Sequence, residues 1–257
     1  MLFQEASFID RLKRARAAGF AAVEMSTPEL FNHPAQEVAS ALQKEGLECV
    51  LFNMPAGDWN AGERGLAALQ RAEDFERSLE VTADYAARLK CPRVHCLAGL
   101  TSERDSSDAI YRQNLERAVR VLGSIGVEVV IEPINQRSMP GYHLSSLPHA
   151  AATIEAVSEN LPPELRGSLK LLFDFFHCQI MHGDLTMNLR KYADLIGHVQ
   201  VAGVPDRAEP DNRQEVNFPP LFQLLRHELA YTGHIGLEYH PRRSTEEGLG
   251  WLERLTE

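Results

Sequence analysis

Seven short apolar runs, at about 21–26, 48–55, 93–99, 128–135, 169–177, 197–203 and 234–241, alternate with stretches of helical periodicity, and no long polar linker interrupts them. Strands buried on both faces read as apolar runs, and joining them in parallel requires helical crossovers, so the alternation constrains the chain to a parallel α/β architecture. In 67–90 the apolar face runs through Leu69, Ala72, Phe75, Leu79, Ala86 and Leu89, and 108–124 repeats it through Tyr111, Leu115, Ala118 and Leu122. Ser244-Thr-Glu-Glu247 has capping-box spacing and opens the last helix. The expected fold is a TIM (β/α)8 barrel occupying residues 1–257 as a single domain. Eight helical segments against seven strands imply a first strand that is shortened or missing. Either residues 1–4 are its stub, or the natural chain starts upstream of Met1, or the sheet is a seven-stranded variant. A missing strand leaves a sheet edge open and so favours association into a homo-oligomer, or instability.

The last four runs each stop at an oxygen-bearing side chain: Val-Val-Ile-Glu132, Leu-Leu-Phe-Asp174, His-Val-Gln200 and Ile-Gly-Leu-Glu238. In a parallel barrel those ends form the rim where chemistry is done. A single strand-end carboxylate is usually a helix N-cap or a solvated charge. Four donors in one rim point instead to a shared metal site at Glu132, Asp174, Gln200 and Glu238. An all-oxygen set favours Mg²⁺ or Mn²⁺ over Zn²⁺, and a cation relieves the mutual repulsion of the carboxylates. Pro133 holds Glu132 in extended backbone.

Three further residues are candidates for substrate binding. His177 lies three residues after Asp174, His95 ends the run Arg-Val-His95, and Arg207 follows the run carrying Gln200. The Arg207 fork suits a substrate carboxylate, which an acidic protein could otherwise not attract. The Gly-rich segment from Phe52 to Gly65 lacks the Lys-Ser/Thr of a phosphate loop and reads as a wall or lid. Net charge of −10 argues against nucleic-acid and anionic-membrane partners. No apolar run reaches the roughly 20 residues of a membrane span, and Met1-Leu2-Phe3 leads quickly into charged residues rather than a signal peptide. The four cysteines lack disulfide or metal spacing, so a cytoplasmic protein with buried thiols is expected. Cys178 beside His177 is read as such a thiol, on the argument that neighbours in extended chain face opposite ways.

Taken in order, the motifs Asn53-x-Pro55-x-Gly57-Asp58, Gly62-Glu63-x-Gly65-Leu66, Val-His95-x-x-Ala-Gly99 and Glu132-Pro-Ile-Asn135 continue into Asp174-Phe-Phe-His177-x-Gln179 and Gly183-x-Leu-Thr186. His198-Val-Gln200-Val-Ala202, Pro205-x-Arg207-x-Glu-Pro210, Asn217-Phe-Pro-x-Leu-Phe222 and Glu238-Tyr-x-Pro241-Arg242 complete the series. Over nearly the whole chain this resembles the hydroxypyruvate isomerase family within the xylose-isomerase-like metal-dependent barrels. The resemblance implies catalytic glutamates at Glu132 and Glu238, and metal ligands at Glu132, Asp174, Gln200 and Glu238. It implies interconversion of hydroxypyruvate and 2-hydroxy-3-oxopropanoate through an enediolate. Gln200 separates the chain from ketose 3-epimerases, which usually place a His there. The apparently absent first strand and His240 depart from the family pattern. A 2-oxotetronate isomerase, a sugar 3-epimerase and a non-catalytic small-molecule-binding barrel stay open as alternatives.

Overall fold

Every one of the seven apolar runs becomes a strand, most of them shorter than the run that encodes it. The computed structural model describes residues 1–26, 28–102 and 104–252. The strands are β1 (Ala22–Met25), β2 (Glu48–Asn53), β3 (Arg93–His95), β4 (Glu128–Ile131), β5 (Leu169–Asp174), β6 (Ile196–Val201) and β7 (Ile235–Leu237). They pair in sequence order, all parallel. Around them lie α1 (Phe8–Ala17), α2 (Ala35–Glu45), α3 (Ala72–Leu89), α4 (Arg104–Gly123), α5 (Leu147–Asn160), α6 (Phe175–Met181), α7 (Leu185–Tyr192), α8 (Phe218–Gln223) and α9 (Thr245–Gly248). No helix among the described residues is long and apolar enough to cross a membrane.

Side-chain alternation sorts the strands into an outer and an inner face. Val129 and Ile131 of β4, Leu171 and Phe173 of β5, and Val199 and Val201 of β6 belong to the large core shared with the helices. The alternate residues Leu51, Val130 and Leu172 form a separate small cluster inside the barrel. Two residues further along, just past the end of β4 and at the last residue of β5, the same parity carries Glu132 and Asp174. Below the apolar layer, Arg93 Nε donates to Glu128 Oε1 at 2.5 Å. The period-2 rule therefore places a dry layer beneath the rim and aims the strand-end carboxylates over it.

Several sequence expectations need correction. The run at 169–177 ends as strand at Asp174 because that side chain caps α6: its Oδ1 accepts from Phe176 N at 2.7 Å. His177 and Cys178 thus lie in a helix, so the opposed-faces argument for Cys178 does not hold. It is nonetheless a buried thiol, with burial pushing its pKa up to about 12. Helix α3 starts at Ala72 rather than 67, since the amides of Ala67 and Ala68 donate to Leu97 and Ala98 carbonyls. Helix α4 starts at Arg104, earlier than 108. Ser244 makes no side-chain cap bond; instead Thr245 Oγ1 accepts from Phe3 N at 2.7 Å, and Glu5 accepts from Thr245 N. Residues 1–4 are not a strand stub: they form a turn with Phe3 at φ 57°. β1 and β7 are not paired, and between them lies a cavity of about 220 Å³ lined by Phe3, Val23, Met25, Ile235 and Leu237 among others.

The Gly-rich segment is closed on itself by Gly65 N donating to Ala56 O and is stitched to the rim by Met54 N donating to His95 O and by the bridge between Gly65 and Ala98. Gly65 stands at φ 128°, and a Cβ there would meet Leu97 O at 2.5 Å and Gly99 N at 2.7 Å. Neither backbone can retreat cheaply. Gly65→Ala is expected to destabilise by about 3 kcal/mol, in the range of severe backbone strain. Chemical denaturation showing a loss under about 0.5 kcal/mol, the scale of ordinary surface changes, would refute the wall.

Candidate active site

The rim assembles from residues far apart in sequence. Glu132, Asp174 and His177 are all buried and can offer ligand atoms within 4.8 Å of one another. His177 Nε2 lies 3.4 Å from Glu132 Oε1 and 3.7 Å from Asp174 Oδ2. Asp174 and Gln200 are register partners across β5 and β6. Glu238, just beyond β7, is linked to Asp174 through Arg207, whose guanidinium lies 2.6 Å from Glu238 Oε2 and 3.5 Å from Asp174 Oδ2. His95 Nδ1 stands 3.7 Å from Glu132 Oε2. All seven residues singled out in the sequence are thus connected on one rim, Gln200 through its strand partner Asp174.

Hydrogen bonds set what each side chain can do. Asn135 Oδ1 accepts from Ser138 N at 2.7 Å, so its Nδ2 is the end facing His177 Nδ1, at 2.6 Å. Asn135 N donates to the same Nδ1. The proton of a neutral His177 is therefore on Nε2, which makes it a donor aimed at the carboxylates rather than a metal ligand. His95 has the reverse tautomer: Asn53 Nδ2 donates to Ser26 O, leaving Asn53 Oδ1 to accept from His95 Nδ1 at 3.2 Å. Burial, with smaller effects from neighbouring cationic or ring groups, lowers the pKa of both, that of His95 to about 3 and that of His177 well below its ordinary value. Both imidazoles are neutral at physiological pH.

Burial above all, then the charges of Glu238 and Asp174, raises Glu132 well above the ordinary carboxylate value. Asp174 is pushed up to about 7 by burial, against the pull of Arg207. Burial opposes the charge of Arg207, but Glu238, Asp174 and Glu132 outweigh it and raise its pKa. Glu132 Oε1, Asp174 Oδ2 and Gln200 Oε1 are buried and have no hydrogen-bond partner among the described residues. Unpartnered buried oxygens are costly, and three on one rim, two of them carboxylate oxygens, are what a hard divalent cation needs. The donor set fits such an ion.

Sequence reasoning missed Glu24. It lies on the inner face of β1, where its Oε2 accepts from Gln200 Nε2 at 2.7 Å and its Oε1 meets His198 Nε2. A carboxylate only accepts, so Glu24 fixes the Gln200 amide with Oε1 as its remaining end. Burial works against Glu24's charge, yet His198 and Gln200 outweigh it and hold its pKa below the ordinary value. Ala-Val-Glu24-Met carried a signal, a carboxylate inside an apolar run, but its partners are 174 and 176 residues away.

The raised carboxyls predict how a cation acts on stability. In the metal-free folded chain Asp174 and Glu132 keep protons at a pH where the unfolded chain has released them. Their contribution is present at low pH and lost as pH rises through the folded values, near 7 for Asp174. A bound cation removes that loss, because it requires the deprotonated carboxylates. The melting-temperature gain from Mg²⁺ or Mn²⁺ over chelator is therefore expected to grow between pH 6 and 8. A gain that shrinks over that range would contradict the assignment.

Residues 12–255 match the model of the xylose isomerase-like TIM barrel family. A 2-oxo-tetronate isomerase from Cupriavidus necator is 43% identical over 98% of this chain and 95% of its own. A hydroxypyruvate isomerase from Escherichia coli is 36% identical over 98% and 95%. A crystal structure described as an AP endonuclease of family 2 from Brucella melitensis superposes with a TM-score of 0.92 at 37% identity, covering 98% of this chain and 95% of that one.

Proposed function

The chain belongs to the hydroxypyruvate isomerase family of xylose isomerase-like TIM barrels and is an enzyme, and on that footing we propose that it isomerises a small hydroxy-oxo acid, interconverting hydroxypyruvate and 2-hydroxy-3-oxopropanoate. The observation that carries this reading is the set of buried oxygens without hydrogen-bond partners on Glu132, Asp174 and Gln200, beside a second glutamate, Glu238. These four residues would hold the divalent ion. When bound, it supplies a Lewis acid that stabilises negative charge on the substrate's neighbouring oxygens.

The chain's own groups supply the remaining steps. One of Glu132 and Glu238 removes the C3 proton of hydroxypyruvate, giving the enediolate. The other delivers a proton to C2, while the proton of the C3 hydroxyl passes to the C2 oxygen, leaving the aldehyde at C3 and the hydroxyl at C2. Burial above all, then the charges of Glu238 and Asp174, raises Glu132, which makes its carboxylate a stronger base than an exposed one. His177 donates from Nε2 and His95 accepts at Nε2, so two neutral imidazoles orient substrate hydroxyl and carbonyl without adding charge. Arg207, with the Phe176 ring 5.1 Å beneath its guanidinium, binds the substrate carboxylate. The charge of −10 weighs against an endonuclease reading.

Proton NMR of hydroxypyruvate with the protein in D₂O tests this. With Mg²⁺ or Mn²⁺ present, product formation and deuterium uptake at carbon are expected, and chelator should stop both. A second reading, isomerisation of the four-carbon 2-oxotetronate, is favoured by the higher identity to the Cupriavidus necator relative. Turnover of that acid with none of hydroxypyruvate would select it. Neither reaction, from folded and metal-loaded protein, would exclude both acids as substrates.

A further inference from the structure

Outside the proposed active site, three side chains from three segments converge at the start of α4 and α5. Asp108 lies in α4, His143 in the loop after β4, and His149 is the third residue of α5. Asp108 Oδ1 stands 2.9 Å from His143 Nε2 and 3.0 Å from His149 Nε2. The three residues can offer ligand atoms within 4.8 Å of one another. We propose that Asp108, His143 and His149 form a second metal site, for a borderline-soft divalent ion of the Zn²⁺ type.

The donor chemistry separates this cluster from the rim. Two imidazole nitrogens and one carboxylate oxygen suit Zn²⁺, whereas oxygens alone suit Mg²⁺. Bonds of about 2.0–2.1 Å in a tetrahedron put ligand atoms roughly 3.3 Å apart, so the two spacings to Asp108 Oδ1 need to expand by only a few tenths of an ångström. The two rings are inclined at 70° with centroids 5.3 Å apart, so they approach the shared oxygen from different directions rather than stacking.

The supporting structure is rigid where a metal site needs rigidity. His143 N donates to Gly99 O and Thr101 N donates to Gly141 O, and residues 100 and 142 form a bridge, so the segment carrying His143 is laced to the one after β3. His143 Nδ1 is 3.1 Å from Thr101 Oγ1. An ion taking the place of the Asp108 contact would need the Nε2 lone pair, and the Thr101 hydroxyl can then accept the ring proton from Nδ1, the arrangement that outer partners give to metal-binding histidines. Ser146 caps α5 by accepting from His149 N, which fixes the backbone beneath the third ligand. His143 is fully enclosed, while Asp108 and His149 keep partial exposure to solvent. A metal there would clamp α4 and α5 to the loop between β4 and α5.

Titration of metal-stripped protein with Co²⁺, read by bound metal and by visible absorption, tests the proposal. Four-coordinate Co²⁺ absorbs far more strongly than octahedral Co²⁺, so the clamp should give the intense band. His149→Gln should bind one equivalent fewer than the wild type and lose that band. Asp108→Asn provides an independent variant with the same expectation. Asp174→Asn, which alters only the rim, should keep it. Unchanged uptake or an unchanged band in both His149→Gln and Asp108→Asn would overturn the proposal and leave a hydrogen-bonded Asp–His network. Loss of the band in Asp174→Asn would overturn it too, by placing that ion at the rim. These outcomes do not depend on whether the rim isomerises any substrate.

Discussion

Glu132→Gln is expected to lower turnover by about 10³-fold while leaving the fold and melting temperature nearly intact, the scale of losing a positioned general acid or base. Glutamine matches glutamate in shape and can still offer an oxygen, so any change in packing is small. What disappears is a group able to exchange a proton. Glu132 is 5% exposed and faces two neutral imidazoles, neither of which has the basicity of a carboxylate so buried. Replacing a carboxyl whose ionisation is opposed by burial and by Glu238 and Asp174 should also make the metal-free protein slightly more stable as pH rises. Steady-state kinetics with the substrate identified by NMR, together with thermal melting, provide the check. Turnover within tenfold of wild type would sink the catalytic assignment.

Asp174→Asn is expected to weaken divalent-ion binding by more than about 100-fold, beyond the 10- to 100-fold range seen for groups one shell further out. Activity should fall in parallel at any fixed metal concentration. The substitution is informative because Asp174 has two jobs on two oxygens. Oδ1 accepts from Phe176 N at the start of α6, whereas Oδ2 is the buried oxygen without a hydrogen-bond partner. Asparagine is as good an N-cap as aspartate, so the helix start survives and only the charge is lost. Calorimetric titration with Mn²⁺ measures the effect. Affinity within a few-fold of wild type would mean that the cation is held elsewhere.

How much of this was legible in the sequence depended on the distance over which each feature is encoded. The seven runs were readable because burial of a parallel strand on both faces leaves a local, uninterrupted apolar signature. Their ends were read too long, at His177 and Asn135 for example, because apolar residues continue past the last ladder hydrogen bond. Phe175 and Phe176 are core residues of a helix, and no periodicity distinguishes two such residues from a continuing strand. Glu132, Asp174, Gln200 and Glu238 stood out because each interrupts such a run. Asn135 was visible only as part of a motif; its control of the His177 proton rests on a contact spanning 42 residues.

By itself, then, the sequence determined the strand–helix alternation, the inward parity of alternate strand residues, and the kinds of donor atom available at the rim, since all three follow from local patterning and side-chain chemistry. Tertiary structure alone decided which of those atoms meet. It set Glu24 beneath Gln200 across 176 residues, placed Arg207 between Asp174 and Glu238, and brought Asp108, His143 and His149 to one point. The physical reason is that hydrogen bonds and ion pairs act over about 3–4 Å of space, and barrel closure brings together positions whose separation along the chain carries no trace of that proximity.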